Sequence, residues 1–144
     1  MATRTSTTRW HGSLQEGSGR VELTSSGATG FDVTFPRRVG EPEGSTSPEE
    51  LIAAALSSCL AMNFSGVLGR NDLTAQSLEV TADVTVDRVD GGLAITTAAS
   101  RIRAKVDGVD EARFAELAAL AHETCPVNKA LAGTERTLDA QLLP

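Results

Sequence analysis

Aromatic residues are scarce in this sequence of 144 residues, which has one Trp, four Phe and no Tyr. The hydrophobic core must therefore be built from Ala, Val, Leu and Ile, whose small side chains allow close packing of helices. Basic residues are also too few for a broad positive surface, since 13 Lys and Arg stand against 19 Asp and Glu, a net charge of -6. The chain therefore lacks the positive surface that would neutralise the phosphates of a nucleic acid, so we expect no nucleic-acid partner.

Cysteine and histidine are too few for a zinc centre. The two cysteines, Cys59 and Cys125, and the two histidines, His11 and His122, show no spacing that would supply the four ligands of tetrahedral zinc. We therefore expect no metal, and the cysteines are either inert buried thiols or a redox pair. Composition alone favours inert thiols, because free cysteine commonly packs as a small hydrophobic residue.

The N-terminal residues carry no apolar run, so the sequence shows no secretory signal and we expect a cytoplasmic protein. A structural disulfide is not expected in that compartment. Repeats and low-complexity tracts are absent, and the only segment rich in Gly, Pro and Ser, residues 39–48, has the length of an ordinary surface loop. We therefore predict one domain spanning residues 1–144.

The first part of the chain has the pattern of a small sheet. Residues 9–14, 20–25 and 31–35 are short segments rich in β-branched and aromatic residues, and glycines separate them. This pattern predicts a three-stranded antiparallel meander.

A helix is predicted to begin after Ser47, which provides a hydroxyl cap, followed by Pro48 and by acids at the positive end of the helix dipole. It should end at Gly69 and bury an apolar face with helical spacing, composed of Ile52, Leu56, Cys59, Met62 and Gly66. Polar residues interrupt this apolar stretch, so we predict a core helix and not a membrane span.

The second half predicts a long β-hairpin and then two helices. Residues 78–86 alternate at period two, a turn follows at residues 90–92, and residues 93–106 alternate back. The next helical pattern ends at Cys125 because Pro126 disfavours helical geometry there. A short helix over 127–131 and a strand over 134–142 complete the order βββ-α-ββ-α-α-β. Cys125 then precedes a helix whose amides can stabilise a thiolate, which is one way to lower the pKa of a thiol. The alternative is a helix-terminal cysteine with no reactivity.

The sequence resembles the OsmC/Ohr family of hydroperoxide-reducing proteins, and its OsmC branch more closely. The matching segments are residues 46–55 leading into Ser58-Cys59, the strand 80–84, and Cys125-Pro126-Val127 followed by Ala130-Leu131. The order and spacing of these motifs make the match specific. In place of the small polar pair usual after Cys-Pro-Val in the family, this chain has Asn128-Lys129.

The resemblance implies an α+β fold, with antiparallel sheets wrapped around two long central helices in an intertwined homodimer. It also implies a cysteine-based peroxidase, without a cofactor, that reduces organic hydroperoxides, and hydrogen peroxide more slowly, in oxidative or osmotic stress defence. Cys59 would be the peroxidatic thiol and Cys125 the resolving thiol, because a sulfenic acid condenses with a nearby thiol before over-oxidation. A dithiol, such as a lipoylated protein or a small thiol, would regenerate the pair.

The family also places an arginine and a glutamate near the reactive sulfur. Glu49 matches the glutamate, and Arg38, then Arg37, is favoured for the arginine, while Arg20 lies where the Ohr branch carries its own. Ten residues separate Glu49 from Cys59, which is about 15 Å along one helix. If both serve one site, Glu49 must come from a second chain or from a helix start that folds back. The intertwined homodimer implied by the resemblance offers the first route, so we expect an obligate dimer with two composite sites.

Two other functions stay open at this point. The chain could be a binding module whose apolar pocket holds a small lipid-like ligand, with the thiols used only in packing. It could also be a redox sensor or a disulfide-exchange protein that does not consume peroxide. The sequence names neither the physiological peroxide nor the reductant.

Overall fold

The computed structural model describes all residues from Met1 to Pro144. The elements are β1 (Thr7–His11), β2 (Ser18–Glu22), β3 (Gly30–Val33), α1 (Phe35–Val39), α2 (Pro48–Gly69), β4 (Ala75–Val89), β5 (Gly92–Val106), α3 (Glu111–Thr124), α4 (Pro126–Ala130) and β6 (Glu135–Leu142). The chain divides into two compact units, Met1–Leu51 and Ile52–Pro144. The α+β class is confirmed, while one domain over residues 1–144 stays a prediction.

The first unit contains the predicted meander, with the order β1-β2-β3 and antiparallel pairing throughout. The prediction was wrong at its third strand, because β3 ends at Val33 and Phe35 begins the short helix α1. The Thr34 hydroxyl caps this helix by accepting a hydrogen bond from the Arg37 amide at 3.3 Å, and a proline follows Phe35. Such a cap followed by proline favours a helix over a continued strand.

Helix α2 begins as predicted, because the Ser47 hydroxyl accepts a hydrogen bond from the Glu50 amide at 3.1 Å. Its predicted apolar face was wrong in part, since Met62 is 70% exposed and Gly66 is exposed. The residues that it buries are Leu56, Leu60, Phe64, Val67 and Leu68. Apolar residues occur on every side of α2, so their spacing did not identify the buried side.

By length and composition alone, helix α2 could cross a membrane, but the core helix of a protein without a membrane span can have the same length and composition. Its buried residues belong to one hydrophobic cluster with residues of β5 and α3. Within that cluster the Phe64 and Phe114 rings meet edge to face, with centroids 5.5 Å apart. The helix thus supplies part of the core, as predicted.

The second unit contains the predicted hairpin of β4 and β5. Asp90 and Gly91 form its two-residue turn with φ of 51° and 81°, the left-handed values that suit the twist of a hairpin. The predicted antiparallel pairing does not extend to β6, which pairs with β5 in parallel. The intervening helices α3 and α4 return the chain to the starting end of β5, the connection that parallel strands require.

Candidate functional site

The structure brings the two cysteines together in the second unit. Cys59 lies in the middle of α2 and is half-buried, whereas Cys125 is fully buried between α3 and α4. Cys59 packs against the hydrophobic cluster that contains Cys125 and lies near enough to raise the pKa of the Cys125 thiol, and both are free thiols. The fold thus pairs two thiols that are 66 positions apart in the sequence.

Burial determines the protonation of Cys125. Burial raises the pKa of its thiol, the backbone amide of Asn128 lowers it, the neighbouring Cys59 thiol raises it further, and the Val127 amide lowers it. The net direction of the pKa is upward, although the two amides lower it as the sequence indicated. Desolvation of the sulfur outweighs the two amides at the start of the short helix α4. Cys125 is therefore a neutral thiol at pH 7.

The turn that carries Cys125 is formed by local chemistry. Cys125 has extended backbone angles, φ -62° and ψ 121°, as expected for a residue that precedes proline. Pro126 then starts α4, and the Lys129 amide donates to the Cys125 carbonyl at 2.9 Å. The sulfur therefore lies where one helix ends and the next begins.

Two asparagine side chains bind the end of α3 next to this turn. Asn63 of α2 donates from Nδ2 to the Ala121 carbonyl at 2.6 Å and to the Thr124 hydroxyl at 2.9 Å. Asn128 donates from Nδ2 to the His122 carbonyl at 2.7 Å. The sequence pattern assigned no role to Asn63, although an amide side chain one turn after Cys59 was a detectable signal.

The first unit contains a nearly buried ion pair at the start of α2. Arg38 donates from Nε to both carboxylate oxygens of Glu49 at 3.2 Å and from Nη2 to Oε1 at 2.7 Å. Glu49 is 6% exposed. Burial acts to raise the pKa of Glu49, but the hydrogen bond from Arg38 and further contacts outweigh it and hold that pKa below its ordinary value. The hydrogen bond to Glu49 raises the pKa of Arg38.

The other two candidate arginines bind elsewhere. Arg37 donates from Nη1 to the Glu43 carboxylate and to the Glu41 carbonyl, both at 3.2 Å. Arg20 forms an exposed ion pair with Asp32 at 2.9 Å. Arg38 is therefore the candidate arginine that binds Glu49.

An apolar cavity of about 200 Å³ adjoins Arg38 in the first unit. Its lining consists of Trp10, Leu14, Val33, Thr34, Phe35, Arg38 and Pro48. An apolar lining with one cation suits a ligand that has a hydrocarbon part and a polar end.

The histidines form no metal site with the cysteines. Among residues 1–144, no group of three or more His, Cys, Asp or Glu side chains is placed to hold a metal ion. Burial lowers the pKa of His122, the positive charge of Arg136 lowers it further, and Glu123 opposes both. His122 is therefore neutral at pH 7.

The family model described as OsmC-like protein matches residues 40–139. The chain is 40% identical to Peroxiredoxin OsmC of Escherichia coli K12 over 138 residues, 92% of each chain. It is 29% identical to the organic hydroperoxide resistance protein OhrB of Bacillus subtilis 168 over 108 residues, 74% of this chain and 77% of the relative.

The fold agrees with these similarities. The crystal structure of an organic hydroperoxide resistance protein OsmC from Legionella pneumophila has a TM-score of 0.74 and 26% identity, covering 99% of this chain and 100% of that one. The identity to the Escherichia coli protein exceeds that to OhrB, as the sequence motifs predicted. The chain therefore belongs to the OsmC family and lies closer to OsmC than to the organic hydroperoxide resistance branch.

Proposed function

We propose that this chain is a peroxidase that reduces organic hydroperoxides, with Cys59 as the attacking thiol and Cys125 as the resolving thiol. The observation that carries the proposal is the pairing of these two sulfur atoms, one half-buried and the other fully buried. A half-buried sulfur is open to a small substrate, while a buried neighbour is reached only by the first sulfur. This difference in exposure supports the two proposed roles.

In the first step the Cys59 thiolate attacks the terminal oxygen of the peroxide. The O–O bond breaks, the alkoxide takes up a proton and leaves as an alcohol, and Cys59 becomes a sulfenic acid. In the second step Cys125 attacks the Cys59 sulfur, the S–S bond forms, and the S–O bond breaks. The departing hydroxide takes the Cys125 proton and leaves as water.

The raised pKa of Cys125 fits its role in this sequence. A neutral Cys125 does not compete with Cys59 for peroxide, because the thiolate is the nucleophile. Its proton is given up only when the sulfenic acid supplies a leaving hydroxide. The cycle closes when an external dithiol, such as a lipoyl group or a small thiol, reduces the disulfide.

The proposed site needs a cation to favour the Cys59 thiolate, and Arg38, held by Glu49, is the proposed source, with Arg37 as the second choice. Glu49 and Cys59 lie ten residues apart on the continuous helix α2, about 15 Å along its axis. We therefore propose that the Arg38–Glu49 pair of a second copy completes each site, in an obligate homodimer.

The exposed surface of α2 supports this dimer. Only 28% of its most apolar 18-residue stretch is buried within the chain, and Met62 is 70% exposed. An apolar helix surface of this kind marks an interface in a protein that stays in solution. A protein that sediments as a monomer at micromolar concentration and is still active would contradict the composite site.

The preference for organic peroxides rests on the apolar cavity beside Arg38 and on the relatives named for organic hydroperoxide resistance. In the dimer, a cavity of this kind would take the hydrocarbon part of the substrate. We further propose a cytoplasmic location, where dithiol reductants are available.

Steady-state consumption of cumene hydroperoxide and of hydrogen peroxide, with dihydrolipoamide as reductant, tests the function. The wild type should turn over faster with the organic substrate, and Cys59→Ser should abolish turnover. Ser58→Ala is the matched control, because Ser58 is the exposed neighbour and its hydroxyl bonds only within α2. Wild-type protein with titratable thiols but no turnover would refute the proposal and favour a ligand-binding module. If peroxide oxidises the thiols once but no dithiol reductant supports repeated turnover, the result would favour a redox sensor.

A further inference from the structure

The helix that carries Cys59 is hydrogen-bonded directly to the end of the helix that precedes Cys125. Asn63 lies four residues after Cys59, and therefore on the same side of α2. Its amide nitrogen donates to the Ala121 carbonyl and to the Thr124 hydroxyl, one residue before Cys125. One side chain thus connects the two segments that must bring their sulfur atoms together.

The carbonyls that receive these bonds would otherwise lack partners. The last four carbonyls of a helix have no partner within the helix, and in α3 they include those of Ala121 and His122. Asn63 satisfies the first of these and Asn128 satisfies the second. The Thr124 hydroxyl also donates to the Leu120 carbonyl at 2.7 Å. Side chains therefore hold the end of α3 that would otherwise fray.

We propose that Asn63 is a positioning residue that holds Cys125 against Cys59 and thereby sets the rate at which the disulfide forms. This inference rests on the proposed peroxidase cycle and concerns its second step. In that step the Cys125 sulfur must approach the Cys59 sulfur opposite the breaking S–O bond. The hydrogen bonds from Asn63 fix the turn that carries Cys125, so they restrict the directions from which its sulfur attacks.

The first step does not depend on this contact. Attack on the peroxide is made by Cys59, whose place on α2 is set by the neighbouring turns of that helix and by the core. Asn63→Ala should therefore leave peroxide reduction unchanged and slow only disulfide formation. A merely destabilising substitution would not separate the two steps in this way.

The experiment mixes reduced protein with one equivalent of cumene hydroperoxide and follows both steps. Loss of peroxide reports the first step, and trapping of the Cys59 sulfenic acid by dimedone, read by mass spectrometry, reports its lifetime. In Asn63→Ala we expect a lifetime about 10- to 100-fold longer, the effect of misplacing reacting groups by up to about 1 Å. Excess peroxide should then over-oxidise Cys59 to the sulfinic acid.

Asn71→Ala is the matched control. Asn71 also joins the end of α2 to α3, because its Nδ2 donates to the Val67 carbonyl at 2.9 Å and its Oδ1 accepts from Arg113 at 2.8 Å. It lies twelve positions from Cys59, at the opposite end of α3 from Cys125. Its loss should weaken the same helix pair without lengthening the sulfenic acid lifetime. Asn63→Asp, which keeps the shape but removes the donor, should behave like Asn63→Ala.

The outcomes separate the positioning role from the proposed function. Wild-type protein that forms neither sulfenic acid nor disulfide would refute the function itself. A wild type that cycles, with Asn63→Ala forming its disulfide at the same rate, would refute only the role of Asn63. An equal lengthening in Asn71→Ala would also refute it, because the effect would then be one of general stability.

Discussion

The Arg38–Glu49 ion pair should contribute measurably to stability, unlike most ion pairs at protein surfaces. Glu49 is almost fully buried and accepts three contacts from a guanidinium whose side chain is 32% exposed. Removing one partner of a fully buried pair costs about 3–5 kcal/mol, and one hydrogen bond to a charged group contributes about 1.5–3 kcal/mol. Because Arg38 still reaches solvent, we expect Arg38→Met to lower the free energy of unfolding by about 2 kcal/mol.

Urea unfolding followed by circular dichroism measures this cost in Arg38→Met, Glu49→Gln and the double variant. The losses in free energy of unfolding of the two single variants, added together, should exceed the loss of the double variant by about 1–2 kcal/mol. This difference is the coupling energy expected for two residues in contact. Arg37→Met is the matched control, since its partner Glu43 is 77% exposed and exposed pairs contribute at most about 1 kcal/mol. Equal costs for the two arginines, or no coupling at pH 7, would refute the reasoning.

The coupling should also depend on pH in one direction. The folded-state pKa of Glu49 lies below its ordinary value of 4.5, so the pair adds its full stability above that ordinary value. This contribution is lost as the pH falls through the folded pKa, because the protonated carboxyl no longer attracts the guanidinium. Coupling that is unchanged in acid would show that the Glu49 charge is not its source.

Three further predictions concern the core, the hairpin turn and the buried thiol. Phe64→Ala should lower the free energy of unfolding by about 3–5 kcal/mol in urea titrations, because Phe64 is fully buried; a loss below 1 kcal/mol would contradict this packing. Gly91→Ala should cost about 1–2 kcal/mol for its φ of +81°, whereas Gly92→Ala, at an ordinary φ and with only a van der Waals contact to the Val89 carbonyl at 3.9 Å, should cost less. In Cys59→Ser, iodoacetamide should alkylate Cys125 slowly at pH 7 and faster as the pH rises, because burial raises the pKa of its thiol; rapid alkylation at pH 7 would contradict that direction.

Elements fixed by local chemistry were predicted well from the sequence. The Ser47 cap, the turn at Asp90 and Gly91 and the helix end before Pro126 are all present. Each depends on the conformational preferences of a few neighbouring residues, so the residue types alone are enough to predict it. The sequence also showed where the two cysteines lie relative to their helices.

Features decided by distant parts of the chain were not predictable in the same way. The partner of Asn63 lies 58 residues away, and the direction of β6 depends on the path of α3 and α4. The pKa of Cys125 is raised because tertiary packing buries it, although its local position favours a lower value. Arg37 and Arg38 are adjacent in sequence, and only the fold determines which of them binds Glu49.

The central claim is that Cys59 and Cys125 act as one redox pair. Its most direct test is peptide mapping by mass spectrometry, without reduction, after one equivalent of cumene hydroperoxide is added to the reduced protein. We expect an intrachain disulfide between Cys59 and Cys125 in the wild type, and in Cys125→Ser a Cys59 sulfenic acid that excess peroxide converts to the sulfinic acid. Two thiols that stay reduced, or oxidation of Cys125 while Cys59 stays reduced, would contradict the account.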